Sequence, residues 1–313
     1  MNYNSKIYIA GHKGLVGSAI VRNLKSKGYE NLITRTHGEL DLINQQQVWD
    51  FFEQEKPEYL FLAAAKVGGI HANDTYPADF IYENLAIETN VIKAAHDHQV
   101  KKLLFLGSTC IYPKNIPQPM KETYLLSGCL EPTNEAYAIA KIAGLEMCKF
   151  FKRQYNDNFI SCMPTNLYGP HDNFDLNTSH VLPALIRKFH EAKVNGKTEV
   201  EVWGTGKPLR EFIYVDDMAD ACVFLMKHYN GEQQINIGTG EEISIANLAK
   251  LIGETVGFEG DIVFNPEMKD GMRRKLCDVH KVNRLGWKHQ IDLKQGLKKT
   301  VQWYLDNQNS VKS

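Results

Sequence analysis

Tyr137 and Lys141 stand four residues apart in the run Asn134-Glu135-Ala136-Tyr137-Ala138-Ile139-Ala140-Lys141. On a helix that spacing puts both side chains on one face, about 6 Å apart. An ammonium beside a phenol favours the phenolate and makes the tyrosine a usable proton donor or acceptor. Taken alone, the pair reads more readily as an amphipathic helix with a snorkelling lysine. Two further features give it company: a glycine-rich turn, Gly11-His12-Lys13-Gly14-Leu15-Val16-Gly17, and Ser108, which closes an apolar run.

These groups need elements to position them. The apolar run 6–10 leads straight into the glycine turn, and an amphipathic stretch over 15–27 follows, which reads as strand, phosphate loop, helix. In that context Gly11 makes the tight turn, Gly14 lets backbone approach a pyrophosphate, and Gly17 packs helix on strand. The helix N-terminus adds amide donors and the positive end of its dipole. A second strand over 31–34 ends in Arg35-Thr36-His37-Gly38, with no carboxylate before Glu39. An NAD-selecting site usually places a carboxylate there, against the ribose 2′-hydroxyl. Arg35, His37 and Lys13 suit a 2′-phosphate instead, and so NADP, although basic residues at a strand end are also ordinary surface charges.

Alternation continues with a helix over 45–55, a strand over 59–63, a helix over 78–97, a strand over 102–107, the helix of the Tyr–Lys pair over 135–155 and a strand over 159–163. Short, continuously apolar strands separated by helices predict an α/β fold, a Rossmann-type doubly wound parallel sheet. Ligands then sit at the strand C-termini, where the loops from Ala64 and from Ser108 begin. Composition shifts at 164–173, so residues 1–165 are expected to bind the dinucleotide. Residues 166–313 are expected to form a smaller C-terminal α/β domain for substrate, with the chain returning to the sheet at 211–217 and 234–238.

The 313 residues are 43% hydrophobic, enough for a sizeable core. Thirty-six Lys and Arg against 37 Asp and Glu give a net charge of -1, which offers no electrostatic footprint for nucleic acid or an anionic membrane. No apolar run reaches the roughly 18 residues of a membrane span, and the N-terminus carries no signal segment, so a cytoplasmic protein is expected. The six cysteines show no zinc spacing and no close pairing, which favours reduced thiols and no metal site.

Together these motifs resemble the extended short-chain dehydrogenase/reductase family. The resemblance implies that Ser108 holds the substrate oxygen, Tyr137 exchanges the proton, and Lys141 lowers the tyrosine pKa while touching the nicotinamide ribose. Within the family the chain is similar, over nearly its whole length, to the NADPH-dependent enzymes that epimerise C3 and C5 and then reduce C4 of a GDP-linked 4-keto-6-deoxy sugar. The segments carrying this are 11–17, 63–70, 73–82, 104–113, 130–144, 163–174 and 210–218. A dehydratase of the family typically has Asp and Glu after the serine, whereas this chain has Thr109 and Cys110.

The resemblance places the epimerisation base on Cys110 and the acid on His180. From spacing alone Cys110 fits a small buried apolar residue as well, and His180, one of eleven histidines, fits a surface or capping residue. GDP-sugar contacts fall on Ser108, Cys110, Asn166, Lys188, Trp203, Arg210 and Asp270; Trp203 alone could equally be a core aromatic. NADP(H) contacts fall on Gly11, His12, Lys13, Gly14, Leu15, Val16, Gly17, Arg35, His37, Asp41, Leu42, Ala64, Leu106, Gly107, Tyr137, Lys141, Pro164, Asn166, Leu167 and His180. Lys13 and His37 replace the family's phosphate-reading arginines, while Arg35 remains. A homodimer is implied as well. A GDP-4-keto-heptose, or reduction without epimerisation, stays open, whereas a redox-sensing regulator without turnover would usually lack Tyr137 or Lys141.

Overall fold

The computed structural model describes residues 1–268 and 270–308. The first part alternates β1 (Ile7–Ala10), α1 (Leu15–Ser26), β2 (Leu32–Ile33), α2 (Gln45–Glu55), β3 (Tyr59–Leu62), a short α3 (Ile70–Thr75), α4 (Pro77–Asp97), β4 (Lys102–Leu106), α5 (Glu135–Tyr155) and β5 (Phe159–Pro164). The rest runs β6 (Asn166–Tyr168), α6 (Val181–Val194), β7 (Glu199–Trp203), β8 (Leu209–Arg210), β9 (Phe212–Tyr214), α7 (Val215–His228), β10 (Ile235–Ile237), β11 (Ile243–Ser244), α8 (Ile245–Val256), β12 (Asp261–Asn265), β13 (Arg274–Lys275), α9 (His280–Arg284) and α10 (Leu293–Asn307).

The main sheet is six-stranded, in the order β10-β5-β4-β3-β1-β2, and every pairing in it is parallel. Strand β1 shows why its residues are all apolar. Ile7 and Ile9 pack towards α1 and α7, while Tyr8 and Ala10 pack towards α2 and α4. A strand covered on both faces has no side free for polar residues.

From β1 the chain moves outward to β2 and then crosses back to β3 on the other side, so the crevice opens between the ends of β1 and β3. Two glycines keep that crevice narrow. Gly11 has φ +86°, and a Cβ there would stand 2.7 Å from the Ala64 backbone nitrogen; a Cβ on Gly17 would stand 2.1 Å from the Gly11 carbonyl oxygen. The glycine turn thus fixes the distance between α1 and the sheet.

The expected return of 211–217 to the main sheet does not occur. Strand β9 pairs instead with β6 as a separate two-stranded parallel ladder. The place beside β5 is taken by β10, with Thr165 N donating to the Ile237 carbonyl at 2.9 Å, so the chain beyond Thr165 turns away and β9 follows it. Helix α7, which follows β9, does pack on the main sheet. A third apolar cluster gathers α6, α8 and α10 with β7 through Leu182, Ile186, Phe189, Leu248, Leu297 and Val202. Among the described residues no helix is long and apolar enough to cross a membrane.

Gly11→Ala combines a positive φ with a backbone clash, whereas a Cβ on Gly14 meets nothing nearer than the Gly11 carbonyl oxygen at 3.4 Å. Thermal denaturation should therefore show Gly11→Ala destabilised by about 2 kcal/mol and Gly14→Ala close to wild type. Equal melting of the two variants would show that the crevice is not held by this contact.

Candidate active site

Beyond β4, Ser108 caps a short 3-10 turn over Thr109–Ile111, its Oγ accepting from Cys110 N at 3.2 Å. That bond holds the serine hydroxyl and the Cys110 thiol on adjoining sides of one turn. From the start of α5, Asn134 Nδ2 donates to Cys110 Sγ at 3.5 Å. Tyr137 lies one turn further on, its hydroxyl in hydrogen-bond contact with Ser108, and Phe80 meets its ring edge-on at 6.3 Å. Ser108, Cys110 and Tyr137 therefore converge although 28 residues of chain separate the first from the last.

Lys141 follows on the same helix face, buried, with Nζ 5.8 Å from the Tyr137 ring centroid. It donates to the Leu106 carbonyl at 3.1 Å, lies over the Phe105 ring at 4.8 Å, and pairs with Glu88 Oε1 of α4 at 2.9 Å. The resemblance gives Lys141 the task of acidifying Tyr137, and in the structure the nearest opposite charge to its ammonium is Glu88. Desolvation of the half-buried ring, then electrostatic interaction with Cys110 and Glu88, raises the phenol pKa, and hydrogen bonding towards Ser108 lowers it. The lysine charge is taken up by Glu88. Sequence reading passed over Glu88, yet there was a signal, because it shares the stripe Asn84, Glu88, Val91, Ile92 and Ala95 that α4 buries.

His180 stands immediately before α6, in a loop stitched to the one after β3 by Gly69 N donating to the Thr178 carbonyl at 2.9 Å. A Cβ on Gly69 would press the Ser179 carbonyl oxygen at 2.6 Å. The His180 residue as a whole is exposed, while partial desolvation of its ring at the cleft wall, followed by the charge of Lys275, lowers its pKa. Lys275, in β13, also places Nζ 3.4 Å from Cys110 Sγ. One ammonium thus faces both groups assigned to epimerisation. Nothing local in the sequence marks Lys275; the two-residue pairing of β13 with β8 brings it in.

On the cofactor side, α1 follows Gly14 with no side-chain cap, unlike α2, α8 and α10, which Asn44, Ser244 and Asp292 cap, and it has no acid in its first turn. Its first amides, including those of Leu15, Val16 and Gly17, are left for an anion. The His12 ring bonds to the Arg35 backbone, and the Arg35 guanidinium pairs with Glu55 while lying 5.5 Å from the Phe51 ring centroid. Lys13 and His37 are exposed, His37 lying 3.8 Å from Asp41. Leu42 is a core residue beside Asp41. Ala64, Leu106, Gly107 and Pro164 lie at the C-terminal ends of β3, β4 and β5; Asn166 and Leu167 follow, Asn166 Nδ2 donating to the Glu211 carbonyl at 2.7 Å.

The far side of the cleft carries the remaining predicted residues in a connected chain. Trp203 is 49% exposed, with Lys188 Nζ 4.8 Å from its ring centroid. Gly204 abuts Asp270, where a Cβ would come within 2.2 Å of Oδ1. Asp270 accepts from Thr205 N at 2.9 Å and Thr205 Oγ1 at 2.6 Å. Asp270 and Cys110 both act electrostatically on Arg210.

If the Lys275 ammonium supports a charged Cys110 sulfur, Lys275→Met should slow iodoacetamide alkylation of Cys110 about tenfold at pH 7.5, read by peptide mass spectrometry with exposed Cys129 as internal control. An unchanged Cys110 rate would remove Lys275 from that role.

The profile of the NAD dependent epimerase/dehydratase family matches residues 7–238. The chain is 60% identical over 304 residues to GDP-L-fucose synthase 1 of Arabidopsis thaliana, covering 97% of this chain and 94% of that protein. Among solved structures it is similar to a GDP-6-OMe-4-keto-L-xylo-heptose reductase from C. jejuni, with TM-score 0.93, 43% identity and coverage of 98% of this chain and 99% of that one. It is also similar to a GDP-L-fucose synthetase from Naegleria fowleri bound to NADP, with TM-score 0.93, 30% identity and coverage of 100% and 98%. A family profile spanning most of the chain, with relatives this similar over their full lengths, establishes that the protein belongs to the NAD dependent epimerase/dehydratase family.

Proposed function

We propose that the protein is a bifunctional 3,5-epimerase and NADPH-dependent 4-reductase of a GDP-4-keto-6-deoxy-hexose, converting GDP-4-keto-6-deoxy-D-mannose to GDP-L-fucose. The observation that carries this reading is the meeting of two acid-base sets in one cleft, Ser108–Tyr137–Lys141 and Cys110–His180–Lys275. Similarity to the Arabidopsis GDP-L-fucose synthase supports it. Residues 1–165, with the segments near 211–238, serve the cofactor, and most of 166–313 serves the sugar nucleotide.

The cofactor fits the residues present. Gly14 would carry a Cβ into open space apart from one carbonyl contact, and α1 starts uncapped, so a pyrophosphate can lie against bare amides. Arg35, Lys13 and His37 serve the 2′-phosphate, and Lys141 the nicotinamide ribose. When bound, NADPH supplies a hydride to C4. Tyr137 gives the proton to the C4 oxygen, with Ser108 holding that oxygen. Before reduction, the 4-keto group acidifies the hydrogens on C3 and C5; Cys110 removes them, and His180 returns a proton from the other face. Trp203 stacks the guanine, Arg210 grips the pyrophosphate with its planar donors, and Lys188 and Asp270 complete the nucleotide contacts.

A second reading, the same chemistry on a GDP-4-keto-heptose, is favoured by the similarity to the C. jejuni heptose reductase. Following NADPH fluorescence with hexose and heptose substrates decides between them, the proposal expecting the hexose to be used more efficiently. We also take the working form to be a homodimer, because α4 and α5 expose Tyr82, Ile139 and Phe150.

Tyr137→Phe should lose at least about a hundredfold in reduction while keeping NADPH binding near wild type, because the glycine turn is untouched; near-normal turnover would contradict the role. Cys110→Ser should yield the C4-reduced, unepimerised sugar, whereas an unchanged product would assign the base elsewhere. Arg35→Ala should narrow the NADPH-over-NADH ratio of kcat/KM about tenfold, and a ratio that stays the same would place the 2′-phosphate grip on other residues.

A further inference from the structure

Glu88 is 1% exposed and Lys141 2%, and their charges lie 2.9 Å apart in the seam between α4, α5 and β4. Space for the carboxylate is left open by Gly144, where a Cβ would come within 2.6 Å of both Glu88 Oε2 and the Phe105 ring. Among the described residues neither Glu88 oxygen receives a well-directed hydrogen bond, so the ammonium is its compensation. A packing role alone would be met by an apolar side chain, as at Val91 and Ile92 on the same stripe. Burial raises the Glu88 pKa and the Lys141 ammonium pulls it back down, so the carboxylate's charge rests on that one partner and acts through it.

We propose that Glu88 is a positioning residue for the reduction: it holds the Lys141 ammonium against the Leu106 carbonyl and cancels its charge beside Tyr137, so that the tyrosine stays loaded with its proton and works as a donor. This rests on the proposed reduction at C4. An uncompensated lysine beside a phenol favours phenolate, which suits proton removal in an oxidation. A lysine matched by a carboxylate leaves the cluster neutral and the phenol intact, which suits a reductase. The ionisable groups facing Glu88 are Lys141 and Cys148 on α5, with Tyr137 one turn before Lys141. The Cys148 thiol is raised by burial and then by Glu88, so it stays neutral and leaves the balance between Glu88 and Lys141 unaltered.

Taking one negative charge out of the cluster makes its next deprotonation easier, whichever of Tyr137 and Lys141 loses the proton. The test is the pH profile of kcat/KM for reduction in wild type, Glu88→Gln and Glu88→Asp, with titration of tyrosinate absorbance in each, read as a difference against Tyr137→Phe. In Glu88→Gln the alkaline limb and the Tyr137 midpoint should both move down by about one to two pH units. Glu88→Asp should stay near wild type. Matching midpoints in Glu88→Gln and wild type overturn the proposal, because a residue needed only for packing would lower the rate at every pH without moving the limb. If Glu88→Gln does not fold, the wild-type titration decides: Tyr137 must remain a phenol above its usual value of about 10, and ionisation below that overturns the proposal. A wild type that oxidises no NADPH defeats the proposed function, while the absorbance titration still reads Glu88.

Discussion

Two opposite charges almost wholly removed from water sit behind the tyrosine, and the geometry of the cleft depends on keeping them together. Removing one partner of such a pair costs about 3–5 kcal/mol, because the other is left charged and dry. Helices α4 and α5 are therefore held at one distance across Glu88 and Lys141, with Gly144 leaving the gap that the carboxylate fills. Tyr137, one turn from Lys141, and the Ser108 turn at the end of β4 take their positions from the same seam. Lys141 thus links the wall of the sheet to the proton donor.

A second buried carboxylate performs the corresponding task on the substrate side. Glu211 is fully buried and accepts from Thr239 N and Gly240 N at 2.7 Å and from Cys277 N at 2.8 Å. Gly238 lies so close that a Cβ would come within 2.2 Å of Oε1. This one side chain ties the loop after β10 to the strand that carries Lys275, and its neighbour Arg210 points to the cleft side. Three amide donors supply what water would otherwise give the carboxylate. Lys275 and Arg210, on the side proposed for epimerisation and nucleotide binding, are thereby fixed relative to the sheet that carries Ser108.

Much of this was legible in the chain. The glycine turn between a strand and a helix, the Tyr137–Lys141 spacing and the run of apolar strands each follow from local sequence, and the parallel sheet follows from them. What escaped reading lies in contacts between distant segments. The segment of β9 resembles a late motif of extended reductases, and Phe212, Ile213 and Tyr214 are all buried, but burial does not name a pairing partner, and β10 holds the edge. Lys275 reaches Cys110 across 165 residues through a two-residue strand, which no periodicity announces. Glu88 was visible as an acid on a buried stripe, although its consequence for Tyr137 needed the distance to Lys141.

Two acid-base sets in one cleft make a demand that either alone would not. Reduction needs a proton at oxygen, whereas epimerisation needs protons exchanged at carbon, and the second can run without the first. Incubating the keto sugar with wild-type protein in deuterated water, without reduced cofactor, and reading C3 and C5 by NMR therefore tests the central claim most directly. The account predicts deuterium at both carbons, with incorporation strongly suppressed in Cys110→Ser. A wild type that incorporates none would be a plain 4-reductase, and the meeting of Cys110, His180 and Lys275 would have no part in the chemistry.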